Sequence, residues 1–217
     1  MRSKDITYER FINLTNKLGF FVAEEALEKF KNYHRLLLEF GAKINLYSKN
    51  DRNRLLVYHF IDSLLPLNLI PQNCLLGDLG SGAGFPGLVL KIMRPDLKVY
   101  LIEGRKKKAV FLSYAVKALG LSDITVSDKR IEEMVEPKFN LLTIRLFGDI
   151  KDTLPLIAHL LKEDSRIIFY KGGDYERELS EGEKVMKRYN ITLEAIHTFH
   201  LSWIRLTRRI LVLGKCR

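Results

Sequence analysis

The sequence predicts an α/β fold, a mostly parallel sheet covered by helices on both faces and preceded by a helical cap. Three observations carry this reading. From residue 74 onward, short apolar runs alternate with stretches of helical periodicity, the pattern of strands joined by crossover helices. Ahead of them, residues 23–40 place Leu27, Phe30, Tyr33, Leu37 and Phe40 at roughly helical spacing, with Glu24, Glu25, Glu28, Lys29 and Lys31 between. The first apolar run then leads into the glycine-rich segment Asp78-Leu-Gly-Ser-Gly-Ala-Gly-Phe-Pro-Gly87, a strand-to-helix turn.

Residues 1–70 form the cap, integral to the domain, and residues 71–217 the sheet domain. The helix over 23–40 is expected to stop at Gly41. Residues 44–51 read as irregular, and 55–67 as a further helix closed by Pro71. Strands follow at 74–78, 98–102, 124–126, 140–144 and 166–170. Helices fall between them at 88–94, 106–119 and 153–161, with a short one near 131–135. After a helix over 175–189, two β-rich runs at 191–197 and 209–213 close the sheet as a hairpin.

A chain of 217 residues, 47% apolar, buries the core of one domain with an appended element. No apolar run reaches the ~18 residues of a membrane span, and the polar start lacks the character of a leader, so a cytoplasmic protein is expected. Cys74 and Cys216 lie far apart without a metal-ligand pattern, which points to neither a disulfide framework nor a metal. The net charge of +10 attracts a polyanion, with RNA the natural candidate. A heavily charged solvated surface gives the same balance, so charge alone does not choose.

The turn carries the function. Asp78 ends the first strand, and Gly80, Gly82 and Gly84 let a ligand approach the backbone where a helix N-terminus offers unpaired N–H groups. The next strand ends at Glu103, about 20 residues beyond, where a carboxylate accepts both hydroxyls of a ribose. An adenosine-type ligand fits. A dinucleotide motif places its third glycine three residues after the second, whereas one residue separates Gly82 from Gly84, so a methyl donor is favoured over NAD.

Along its length the sequence resembles the glucose-inhibited division protein B family, small-subunit (16S) ribosomal RNA guanine-N7 methyltransferases. The resemblance rests on Ile44-Asn-Leu46, His59-Phe-Ile-Asp-Ser-Leu64, Asp78 through Gly87, Glu103 with Lys107-Lys108 and Phe111-Leu112, Arg130-Ile-Glu132, Arg145, Lys171-Gly172, and the basic end from Arg208-Arg209 to Lys215. It implies a Rossmann-like, seven-stranded methyltransferase sheet with a helical N-terminal cap. It also implies S-adenosyl-L-methionine as cofactor, and a guanine of 16S ribosomal RNA or the small ribosomal subunit as acceptor. By the same resemblance Gly80, Phe85, Ile131, Glu132 and Arg145 line the cofactor site. The family's usual Arg-Ala is Arg145-Leu146 here, which alters the packing around Arg145.

Methyl transfer to guanine N7 needs positioning and desolvation but no proton abstraction, because N7 already carries an in-plane lone pair. The sequence accordingly shows no Pro-Cys nucleophile and no Asn/Asp-Pro-Pro-aromatic segment; residues 144–147 read Ile-Arg-Leu-Phe where such a motif would lie. Arg145 has three candidate partners: the cofactor carboxylate, an RNA phosphate or a guanine carbonyl oxygen, with a structural ion pair as the alternative. His59, Asp62 and Ser63 lie on one short helix face, which favours polar tethering of the cap over a catalytic triad. The run Arg105-Lys-Lys-Lys108 opens a helix where basic charge opposes the dipole, so RNA phosphates are its expected partners, joined by Arg208 and Arg209. Tyr47, Phe147 and Trp203 are candidates for base stacking, against a core role for each. A noncatalytic RNA-binding assembly protein with a nucleotide pocket, or a small-molecule methyltransferase, are the competing functions.

Overall fold

The computed structural model describes residues 8–216; residues 1–7, on which the expectation of no leader rests, lie outside them. Seven strands form one sheet: β1 (Leu75–Leu79), β2 (Lys98–Ile102), β3 (Ile124–Ser127), β4 (Phe139–Arg145), β5 (Leu161–Lys171), β6 (Ile191–Leu201) and β7 (Leu206–Lys215). Their order is β3-β2-β1-β4-β5-β7-β6, parallel from β3 through β5, with β7 antiparallel to both its neighbours.

The final two strands make the expected hairpin, but its second strand enters the sheet. Ile210, Leu211, Val212 and Leu213 form a continuous run at most 6% exposed, which demands cover on both faces. β6 is exposed or half-exposed over most of its length, and such a strand sits at an edge.

Helices α4 (Gly87–Met93), α5 (Lys106–Ala118), α6 (Ile150–Ile157) and α7 (Tyr175–Arg188) cover the sheet, with apolar clusters on both faces. The helix expected near 131–135 is only a 3-10 turn over Ile131–Glu133. β5 begins five residues before the expected 166; the polar Lys162-Glu163-Asp164 conceals a strand start that pairs Leu161 with Phe139. Because the chain runs outward from β1 through β2 to β3 and then crosses back to β4 on the other side of β1, a crevice opens at the carboxyl ends of β1 and β4.

The cap consists of α1 (Tyr8–Lys17), α2 (Glu24–Ile44) and α3 (Ile61–Leu64). Gly41 does not stop α2. A side chain there would collide with the ring of Tyr47, whose hydroxyl donates to Leu37 O at 3.1 Å, so the glycine admits the ring and the helix runs on. It ends where Asn45 turns left-handed, at φ 52°, with a backbone bond back to Gly41 O. The expected helix over 55–67 is a mosaic: a π-turn over Leu56–Phe60, then α3, then a 3-10 turn over Leu67–Leu69. Phe11, Phe30, Tyr33 and Phe60 are fully buried and meet the sheet domain at Phe85, so cap and sheet share one core.

Candidate active site

The glycine-rich segment has two faces. Gly80 and Ser81 both donate to Ile102 O, at 2.9 and 3.1 Å, which ties the turn to the end of β2. Gly80 and Gly82 have φ of 67° and 58°, the left-handed region that glycine occupies without strain. A Cβ on Gly82 would meet only Gly80 O, at 3.7 Å, so the backbone there is bare toward the crevice.

That crevice is a cavity of about 510 Å³ lined by Gly80, Gly82, Ile102, Glu103, Ile131 and Glu132, with Leu146 and Phe147 on another wall. Glu103, 7% exposed, accepts Gly82 N–H at 2.9 Å on one oxygen and Arg105 N–H at 2.8 Å on the other. Each oxygen keeps a second lone pair, which leaves capacity for two further donors such as a ribose diol. The group implied by the resemblance fits this lining: apolar side chains from Ile102 and Ile131, a carboxylate at the strand end, and a backbone without side chains.

Asp78, Gly84, Phe85 and Arg145 do not line this cavity. Asp78 is fully buried beneath the turn, accepting Gly87 N–H at 3.0 Å and the Thr143 hydroxyl at 3.0 Å. Burial raises its pKa to about 6 against the opposing pull of those bonds. Gly84, with φ 103°, leaves room for the cap: a Cβ would sit 2.6 Å from both Tyr33 Oη and Leu88. The Tyr33 hydroxyl donates to Ala83 O at 2.6 Å, and Phe85 lies against Tyr33, Phe60 and the stacked ring of His59. This half of the segment is therefore where the cap docks.

Arg145 is 7% exposed and turned toward the cap. Its Nε donates to Asp62 at 2.8 Å, its Nη2 to His59 Nδ1 at 2.8 Å, and its guanidinium lies 5.7 Å from the Phe85 ring centre. Because a guanidinium only donates, His59 Nδ1 accepts, and Nε2 carries the proton. That nitrogen lies 3.4 Å from Asp51 Oδ2 without a formed hydrogen bond. Burial and the Arg145 charge lower the His59 pKa to about 4, outweighing Asp51 and Asp62. Ser63 donates to the His59 main chain at 2.6 Å, so no relay links the three. Asp62, fully buried, also receives Arg208 Nε at 2.6 Å and Nη2 at 3.2 Å. The tethering expected of this motif is an Asp62 carboxylate holding two arginines.

The basic residues divide. Arg105 and Lys108, three apart at the start of α5, line the cavity. Lys106 and Lys107 border a separate apolar groove with Phe40, Val110 and Tyr114. Arg208 is committed to Asp62, which withdraws it from the basic surface expected at the chain end, while Arg209 reaches Gly172 O at 3.2 Å and covers the Tyr175 ring. Of the aromatics, Tyr47 packs on α2 and Trp203 against the core; Phe147, 40% exposed, lies over Gly80 at the cavity wall.

Lys129 and Gly104 also line the cavity and were missed from sequence. Lys129 lies two residues past the end of β3, so the strand-end rule that singled out Glu103 points to this loop but selects its neighbour Asp128.

Solved structures with the same fold include a MtNAS mutant in complex with S-adenosylmethionine, with TM-score 0.61, 13% identity, and coverage of 96% of this chain and 76% of that one. A SAM-dependent O-methyltransferase from Thermotoga maritima matches at TM-score 0.54 and 17% identity, covering 83% and 71%. The fold is that of S-adenosylmethionine-dependent methyltransferases. Among curated relatives, ribosomal RNA small subunit methyltransferase G of Carboxydothermus hydrogenoformans is 32% identical over 85% of this chain and 81% of that protein. Its counterpart in Wolinella succinogenes is 38% identical over 74% and 82%, and that of Geobacillus kaustophilus 31% over 96% and 90%. The sequence profile of GidB, rRNA small subunit methyltransferase G, matches residues 26–210, so the chain belongs to the GidB family of small-subunit ribosomal RNA methyltransferases.

Proposed function

We propose that this enzyme transfers a methyl group from S-adenosylmethionine to N7 of a guanine in 16S ribosomal RNA, on the small subunit or its RNA, in the cytoplasm. The observation that carries the reading is the cavity joining the bare Gly82 backbone to the Glu103 carboxylate. Glu103 would hold the ribose hydroxyls, Ile102 and Ile131 the adenine, and the turn backbone would admit the rest of the cofactor. The bound cofactor supplies a methyl carbon already made electrophilic by a positive sulfur. What remains for the chain is to hold the acceptor in line and exclude water.

The lining contains no cysteine and no histidine. His59, Asp62 and Arg145 are engaged with one another on the cap side. An acceptor that needs no cysteine nucleophile and no imidazole base agrees with that inventory, and guanine N7 is one. Arg105, Lys108, Lys129 and Arg130 concentrate positive charge at the cavity, as approach to a phosphate backbone requires. Among the described residues no helix is long and apolar enough to cross a membrane.

The test is incubation with labelled S-adenosylmethionine and small subunits, mapping of the labelled nucleotide, and repetition with 7-deazaguanine at that position. Binding should persist and transfer vanish. Continued methylation of the 7-deaza nucleotide would move the assignment to another acceptor atom.

A further inference from the structure

A second cleft adjoins the donor cavity. It has a volume of about 390 Å³, lies at the carboxyl ends of β4 and β5, and shares Leu146 and Phe147 with its neighbour. A ring lodged in it would be one side chain away from a methyl donor bound in the first cavity. Leu146 is 82% exposed with φ 57°, so a branched apolar residue is held in a strained left-handed conformation on the wall between the two spaces. Such strain persists where the surroundings impose it, and it clusters at ligand clamps.

The cleft also holds a nearly buried ion pair. Lys171, at the end of β5, and Glu178, on α7, are each 9% exposed and both line the space. Glu178 Oε2 lies 2.5 Å from Lys171 Nζ but outside hydrogen-bond alignment, and it has no other hydrogen-bond partner. Lys171 also donates to Gly148 O at 2.8 Å. A nearly buried ion pair adds little to stability relative to apolar packing, because the desolvation of both charges offsets their attraction. In a cleft that shares a wall with the first cavity, such a pair points to a ligand.

We propose that this cleft is the acceptor-base site and that Glu178 and Lys171 read the pairing edge of guanine, an inference that rests on N7 methylation being the reaction. Guanine N7 lies on the edge opposite N1–H and the 2-amino group. With N7 toward the shared Phe147 wall, the far edge offers two donors to the Glu178 carboxylate, and O6 accepts from Lys171. Adenine presents an acceptor at N1 and an amine in place of O6, which sets like against like at both contacts.

The same placement assists the chemistry. The N7 lone pair forms the new bond to the methyl carbon while the sulfur–carbon bond breaks and its electron pair stays on sulfur. No proton leaves, so the purine gains the positive charge lost by sulfur. A carboxylate at N1–H and the 2-amino group stabilises that charge as it develops.

The test uses the full chain and small subunits carrying guanosine or inosine, which lacks only the 2-amino group, at the mapped nucleotide. With the wild-type enzyme, inosine should lower kcat/KM about tenfold or more, the loss of a hydrogen bond to a charged acceptor. In the near-isosteric Glu178→Gln variant, kcat on guanosine should fall more than KM rises. The preference for guanosine should shrink to within ~2-fold, and the Kd for S-adenosylmethionine should stay at the wild-type value. Equal use of guanosine and inosine by the wild-type enzyme overturns the proposal without any variant. So does a folded Glu178→Gln enzyme that keeps the wild-type rate and preference. Failure of the underlying reading is distinct: the wild-type enzyme would then place no methyl on N7 of any guanine.

Discussion

The two halves of one glycine-rich segment serve different masters. Around Gly82 the backbone is open to the cavity and tied to Glu103, with the Phe147 ring over Gly80; around Gly84 to Gly87 it is filled by Tyr33, Leu88 and Asp78. A composition that reads as a single ligand loop lines a cavity with its first half and forms a docking surface with its second. The lesson is that glycine marks close approach without saying what approaches. Substitutions on the cap side should therefore cost stability, and those on the cavity side affinity.

The largest effect is expected at Asp62, whose carboxylate compensates both Arg145 and Arg208. Asp62→Ala leaves two guanidinium groups without it and should destabilise by ~3–5 kcal/mol, measurable as a fall in denaturation midpoint. A loss below ~1 kcal/mol would mean that the cluster does not hold the cap.

A pH experiment next distinguishes two buried groups on the cap side. Asp78 has its pKa raised from 3.8 to about 6 on folding, so it binds more protons folded than unfolded, and its contribution to stability falls as pH rises across that interval. His59 is lowered from 6.5 to about 4, so its contribution rises with pH over nearly the same interval. The two slopes oppose each other. Asp78→Asn should uncover the His59 slope, so that stability relative to the parent gains up to about 3 kcal/mol between pH 4 and 6. Parallel stability curves for parent and variant would show that Asp78 does not titrate there.

On the cavity side, Glu103→Ala should weaken S-adenosylmethionine binding by ~1.5–3 kcal/mol, one to two decades in Kd by calorimetry, with the fold retained. Unchanged affinity would remove Glu103 from the site. Paired with it, Gly82→Ala should lower affinity with at most ~1 kcal/mol lost in stability, whereas Gly84→Ala should lower stability first.

The smallest effect concerns the divided basic run. RNA affinity should fall with salt, and Lys106→Glu with Lys107→Glu should reduce the magnitude of the log–log slope by about 2 if both neutralise phosphates. An unchanged slope and affinity would leave them a solvated helix face.

Glu103 was legible in the sequence because its place depends only on local facts: a strand, its carboxyl end, and a fixed spacing from the turn. The alternation of strands and helices was legible for the same reason. Arg145 was not, since its partner lies 83 residues earlier in a cap whose docking no local pattern describes. Phe85 and Gly84 share that difficulty, because spacing places them beside the turn but does not choose the face. Arg208 reads as surface charge until its strand is seen to pass the buried Asp62. Gly41 shows the reverse: a residue that stops helices in isolation continues one when an aromatic ring fills the space it leaves.

The insertion of β7 between β5 and β6 bears on how the molecule is made. During synthesis the chain emerges from its N-terminal end, so the cap and the first five strands are available long before residues 206–215 exist. Until those residues arrive, β5 presents an unpaired edge and Asp62 lacks Arg208, a partner 146 residues further along. An exposed parallel edge is an aggregation hazard, and contacts of such separation form slowly. Completion of this sheet thus waits on β7, and loss of its final few residues would leave a nascent chain with most of the sheet built and one edge open.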